Sequence, residues 1–226
     1  MRKADGARRK PAGPAMATPV CFALATLIFL MIAAESKAGP NEDFQQCIFP
    51  DVSQPGRVIA ACTRLINSRG DDANARAMVY LSRGNMFRRR HEYDRALADY
   101  NESLRLRPDY APAYTSRGNA WRGKGERDRA IADHSDAIRL APDYAEAYNN
   151  RGNVWADMKE WERAIADYDR AIALKPVYPI AFFNRALVFR ATGERDREIA
   201  DLREALRLDP GMRPAADVLK ELGVTP

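Results

Sequence analysis

From residue 77 to residue 212 the apolar positions recur with two rhythms at once. Within a segment they return every three or four residues, as on one face of a helix, and the whole pattern returns every 34 residues. In residues 145–178, Ala147, Tyr148, Gly152 and Trp155 mark one helical stripe. Met158, Lys159 and Glu160 then turn the chain. Trp161, Ala164, Ile165, Tyr168, Ala171, Ile172 and Leu174 mark a second stripe, which Pro176 ends because proline cannot continue a helix. The segment RLRPDYAPAY at 105–114 returns as RLAPDYAEAY at 139–148 and ALKPVYPIAF at 173–182. Pro108, Pro142, Pro176 and Pro210 keep the same spacing, as do Asp99, Asp133, Asp167 and Asp201. The period predicts four helix-turn-helix units, at 77–110, 111–144, 145–178 and 179–212, with Gly125 and Gly193 as helix stops in the second and fourth turns. Neither helix of a unit can bury its stripe alone, so stability has to come from stacking neighbours.

Each unit also carries a fixed order of sizes. An aromatic residue (Tyr80, Tyr114, Tyr148, Phe182) is followed by a small one (Gly84, Gly118, Gly152, Ala186) and a second aromatic (Phe87, Trp121, Trp155, Phe189). Small Ala96, Ala130 and Ala164 come next, then Tyr100, His134 and Tyr168, then Ser103, Ala137, Ala171 and Ala205, and finally the prolines. In this pattern the chain resembles the tetratricopeptide repeat family across residues 77–212, about 60% of its length. The resemblance implies an all-α, right-handed superhelical solenoid with terminal capping helices. In the fourth unit Glu198 stands where the family has a small residue and Leu202 where it has an aromatic one, which predicts looser packing near that end. Residues 213–226 read as a capping helix with Val218 and Leu219 inward. Residues 39–76 read as an amino-terminal cap, a degenerate unit whose second helix lies near 57–67 and whose first, near 42–49, is too short to assign.

Composition changes the picture at one end only. With 46% hydrophobic and 30% charged residues the chain is globular rather than disordered. Of the net charge of +5, residues 1–38 hold +4, so the repeats are nearly balanced and the charge does not point to nucleic acid. The basic start precedes a 15-residue apolar run at 20–34, broken only by Thr26, and Ser36-Lys37-Ala38 then offers small residues at the positions a signal peptidase inspects. Residues 1–38 are therefore read as an export signal cut before Gly39, with an uncleaved inner-membrane anchor at 20–34 as the alternative. Cys21 lacks the small residue before it that a lipoprotein signal requires. Export makes Cys47 and Cys62 a candidate disulfide, the alternative being two buried thiols. The expected location is a bacterial periplasm, from the leader and from the resemblance to short secreted bacterial repeat proteins.

Candidate chemistry is sparse. His134 takes an aromatic core position and is expected as a satisfied core or half-buried histidine rather than a catalytic one; His91 follows Arg88, Arg89 and Arg90 in a turn. No metalloprotease, nucleophile-elbow or phosphate-loop motif and no metal-ligand spacing occurs, so the reading is a non-enzyme with no catalytic residue, metal or cofactor. Arg83, Arg117, Arg151 and Arg185 stand where the family usually has leucine, in phase with the aspartates. Each is expected to bond an aspartate of its own or the next unit, as a ladder that sets stacking register.

The resemblance further implies that a peptide or protein partner lies on the concave face formed by the first helices. Candidate contacts there are Asn85, Asn119, Asn153, Asn149, Asn150 and Asn184, whose amides both donate and accept. Phe183 and Leu187 are candidates for an apolar pocket, with Leu81 and Ile180 beside them. Arg88, Arg89, Arg90 and Arg122 make the groove of the first two units more basic, which suits either an acidic peptide or a solvated helix end favoured by its dipole. Family members that hold the free carboxylate of a chaperone tail use two asparagines with several basic residues. Asn119 and Asn150 match the former, but Thr115, Ile180 and Asn184 occupy the basic positions, so that clamp is absent. The expected function is a non-enzymatic interaction scaffold. Its rivals are a membrane-anchored scaffold and a binder of cell-wall polysaccharide fragments on the asparagine and aromatic surface.

Overall fold

The computed structural model describes residues 40–68 and 72–225. The leader or anchor expected at 1–38 lies outside the described residues, and among these no helix is long and apolar enough to cross a membrane. They form eleven helices and no strand: α1 (Pro40–Ile48), α2 (Pro55–Asn67), α3 (Ala73–Arg89), α4 (Tyr93–Leu106), α5 (Ala111–Gly123), α6 (Arg127–Leu140), α7 (Ala145–Asp157), α8 (Trp161–Leu174), α9 (Pro179–Thr192), α10 (Arg195–Leu208) and α11 (Arg213–Glu221).

The ends of these helices follow from local chemistry. Asp72 accepts hydrogen bonds from the Asn74 and Ala75 amides and so caps α3. Pro55, Pro112, Pro179 and Pro214 open α2, α5, α9 and α11, where a missing amide proton costs nothing. The turn between the two helices of each unit demands a left-handed residue at one equivalent position. Gly125 (φ 82°) and Gly193 (φ 81°) supply it freely, whereas His91 (φ 59°) and Lys159 (φ 62°) adopt it at a cost of about 1 kcal/mol each. The sequence signalled only the two glycines.

Packing is densest within each pair, α3 on α4, α5 on α6, α7 on α8 and α9 on α10, and then between a second helix and the next unit's first. First helices of successive units also touch, α3 with α5, α5 with α7 and α7 with α9, and the second helices do not meet to that extent. The first-helix side is therefore the tighter and the concave one. The close approach inside a unit depends on glycine. A Cβ on Gly84 would meet Tyr100 Cε1 at 2.6 Å, one on Gly118 would meet His134 Cε1 at 2.8 Å, and one on Gly152 would meet Tyr168 Cε1 at 2.8 Å.

In the fourth unit, where Leu202 and Glu198 predict looser packing, both side chains are buried, and one Glu198 oxygen has no hydrogen-bond partner. Leu202 is fully buried against Ala186, whose methyl group takes up the space that a ring fills elsewhere. Glu198 is buried too, with the Arg190 guanidinium 3.8 Å from its carboxylate. Helix α11 closes the end of the stack: Ala215 and Leu219 are buried in the same cluster, with Val218 half-buried at its edge.

At the other end, α1 is a full helix of nine residues, longer than its sequence allowed one to assign. It is bonded to α2 by the Cys47–Cys62 disulfide and by an Arg64 guanidinium on both oxygens of Asp43, the Nε–Oδ2 distance being 2.9 Å. Ser82 Oγ donates to the Cys47 carbonyl and ties this cap to α3. Closing a 15-residue loop removes unfolded-state entropy worth about 3 kcal/mol, which suits a cap with so small a core.

Candidate functional site

The arginine and aspartate rows meet inside each unit. Arg83 bonds Asp99, Arg117 bonds Asp133, Arg151 bonds Asp167 and Arg185 bonds Asp201, each through Nε and Nη2 at 2.7–2.9 Å. The carboxylate raises each guanidinium's pKa above its already high value, so the charge is permanent. The remaining Nη1 reaches back to the second helix of the preceding unit. It donates to Thr63 at 3.0 Å, to Asn101 at 2.9 Å, to Ser135 at 3.0 Å and to Asp169 at 2.5 Å. One side chain therefore joins three helices, and these arginines are structural rather than a row presented to a ligand.

The asparagines expected on the concave face separate into three groups. Asn85 Oδ1 accepts the Tyr100 hydroxyl at 2.9 Å, and Asn153 Oδ1 accepts that of Tyr168 at 2.8 Å. Burial raises both phenol pKa values, so both remain O–H donors. Asn149 does not face the groove as expected. It is buried, and its Oδ1 accepts from Asn184 Nδ2 at 3.0 Å, which pins α7 to α9. Asn119 and Asn150 line a cleft and form no side-chain hydrogen bond within the described protein. The apolar candidates divide as well. Ile180 and Leu187 are each 40% exposed, whereas Phe183 packs on the carboxy-terminal cluster and Leu81 on the first unit's core.

The cleft, of about 530 Å³, lies at the carboxy-terminal ends of α3, α5 and α7. Arg88 and Arg89 come from the last turn of α3, Arg122 from the last turn of α5, and Asp157 from the end of α7. Helix carboxy-termini favour cations, which accounts for basic residues gathering there. Arg122 is answered by Asp157 in a two-point pair at 2.6 and 3.0 Å. Arg88 and Arg89 face the same space and form no ion pair among the described residues. Tyr93, lying over Gly123, and His91 complete a wall; the His91 ring nitrogen and the Tyr93 hydroxyl are 2.9 Å apart.

His134 departs from its expected role. It is fully buried, but neither ring nitrogen has a hydrogen-bond partner in the protein, so it is not a satisfied core histidine. Burial first, and the Arg122 and Arg151 charges after it, lower its pKa to about 3. A neutral, buried imidazole is no acid–base catalyst at ordinary pH.

An all-helical solenoid with an amphipathic concave face and a polar cleft defines the chain as a helical-repeat protein. Tetratricopeptide repeat models match residues 84–125, 145–178 and 180–212, and the chain is a tetratricopeptide repeat protein. Among solved structures it is similar to TTC0263, a thermophilic tetratricopeptide protein of Thermus thermophilus, with a TM-score of 0.70 and 19% identity over 81% of this chain and 98% of that one. It is similar also to MamA, with a TM-score of 0.58 and 25% identity over 70% of this chain and 90% of that one. A third likeness is to the first repeat domain of Spaghetti (RPAP3) bound to the HSP90 peptide SRMEEVD, with a TM-score of 0.50 and 25% identity over 53% of this chain and 95% of that one. No curated protein sequence matches the chain.

Proposed function

We propose that the protein is a non-enzymatic interaction scaffold whose concave face takes an extended acidic peptide segment of a protein partner. One observation carries this reading: Arg88 and Arg89 bring two guanidinium charges, unmatched by any carboxylate among the described residues, to a cleft that also holds the amides of Asn119 and Asn150. Such a site rewards a ligand with carboxylates and a hydrogen-bonding backbone. Ile180 and Leu187, exposed on the fourth unit's first helix, give an apolar side chain further along the peptide somewhere to rest. The acidic peptide held by the RPAP3 domain supports the ligand class. The basic positions of the chaperone-tail clamp are lost here at Thr115, Ile180 and Asn184, so the charge comes from the ends of the first helices instead.

The test uses a fluorescein-labelled peptide of alternating Glu and Leu with a free carboxylate. The double variant Arg88→Glu, Arg89→Glu is expected to bind it at least about tenfold more weakly than the wild type, and wild-type affinity is expected to fall as salt rises. Equal binding by the charge-reversed protein, or equal binding of a Lys and Leu peptide, would discard the acidic-ligand reading.

The reading includes export by the leader at 1–38 to a bacterial periplasm. It is supported by the paired Cys47 and Cys62, since such bonds persist in oxidising compartments. The protein recovered from producing cells is expected to have an intact mass that begins at Gly39 and does not change on alkylation without reductant. A full-length mass with reduced cysteines would remove the export reading and leave a scaffold that is anchored by residues 20–34 or cytoplasmic.

A further inference from the structure

Four equivalent places in the stack set a core residue of the second helix against a concave-face residue of the first. They hold Tyr100 with Asn85, His134 with Asn119, Tyr168 with Asn153, and Leu202 with Leu187. Three of the four are matched. In units one and three the phenol donates to the amide oxygen, at 2.9 and 2.8 Å. In unit four both members are apolar. In unit two they are mismatched: the imidazole ends well short of where a phenol hydroxyl ends, neither of its nitrogens meets a protein partner, and the Asn119 side chain forms no hydrogen bond within the described protein.

Gly118 opens α5 to the His134 ring as Gly84 and Gly152 open α3 and α7 to their tyrosines. Unit two therefore forgoes a stabilising bond that its neighbours make, and leaves two buried nitrogens unpaired, an arrangement that costs stability. What it gains is an amide with both ends unengaged, and that amide lies in the cleft with Arg88, Arg89 and Asn150. Asn85 and Asn153 each have one lone pair of the amide oxygen taken by a core phenol, which holds that oxygen toward the second helix.

We infer that Asn119 is the asparagine that reads the ligand backbone, and that His134 is the positioning residue that keeps it available. Asn119 Nδ2 donates to a peptide carbonyl and Oδ1 accepts from a peptide N–H, so unit two recognises a complete peptide unit beside the acidic side chains held by the arginines. This rests on the reading of the cleft as an acidic-peptide site.

The experiment compares His134→Tyr, His134→Phe and Asn119→Ala with the wild type, by anisotropy of the same labelled Glu and Leu peptide and by thermal melting. His134→Tyr is expected to melt higher and to bind about fivefold more weakly, because the introduced hydroxyl captures the amide oxygen. Asn119→Ala is expected to lose a similar factor, and the two changes together little more. His134→Phe fills the same space without a hydroxyl and is expected to bind within twofold of the wild type. Unchanged binding by His134→Tyr, or an equal loss in His134→Phe, overturns the inference. If Arg88→Glu with Arg89→Glu weakens binding while His134→Tyr does not, this inference falls alone. No binding by the wild type removes it together with the acidic-peptide reading.

Discussion

Replacing Asp167 by alanine will destabilise the solenoid by about 3 kcal/mol, one of the largest losses a single polar residue here can produce. Asp167 is the anion under Arg151, bonded at 2.8 Å through two parallel contacts. Its side chain is 9% exposed and that of Arg151 23% exposed. Truncating the carboxylate leaves a charged guanidinium half-withdrawn from water with only Ser135 to receive it. The pair as a whole is worth far less than this loss, because both charges were desolvated to form it. Substituting both partners, Arg151→Leu with Asp167→Leu, is therefore expected to cost under about 1 kcal/mol. Denaturant melts of the single and double variants decide the matter. Unit three is the place to test it, since units on both sides keep the ends from fraying and masking the effect. A single-variant loss as small as that of the pair would mean that solvent screens the ladder.

The second large effect is on pH. His134 has a pKa of about 3 in the folded chain, against about 6.5 once unfolding returns it to water. Above about pH 7.5 the ring is neutral in both states and contributes no pH dependence. As the pH falls below about 6.5, the unfolded chain takes up a proton that the folded chain refuses, so stability declines by about 1.4 kcal/mol per unit until the pH approaches the folded value. Between pH 6.5 and 5 the loss from this residue is about 2 kcal/mol. Arg122 and Arg151 are the charged groups that act on the ring, and both oppose its protonation. His134→Tyr removes the titrating group, so the difference in stability between the variant and the wild type should widen by that amount over the same interval. Parallel pH profiles would show that His134 is not held neutral.

Both effects arise from a repeat that is legible in the sequence, but to different depths. The period of 34, the prolines and the alternation of small and aromatic residues follow from what a pair of helices needs in order to close on itself and stack. The phase of arginine with aspartate showed that they would meet. The sequence does not say which aspartate each arginine takes, because residues 16 apart on two helices come together only when the turn between them has set their offset. The third nitrogen's reach into the preceding unit was not visible at all, since its acceptors are chemically unlike: Thr63, Asn101, Ser135 and Asp169. The left-handed turns at His91 and Lys159 were missed for a related reason. Only glycine advertises that conformation, and the stack imposes it on any residue at that place.

The concave face shows the boundary most clearly. Sequence placed a row of asparagines there, and at Asn85, Asn119 and Asn153 they are identical in type and in phase. Their fates differ because of the residue 15 positions on, across the turn in the second helix, where a phenol reaches two of the amides and an imidazole cannot reach the third. Asn149 is drawn inward by Asn184, a residue of the next unit. Sequence by itself determined the repeat, the helix pairing, the glycine and ring contacts and the structural pairing of the charges, because each is a local or strictly periodic requirement. Tertiary structure alone decided which amides and guanidinium groups remain for a ligand, because a polar group is available only when every neighbour brought to it by folding has left it unpaired.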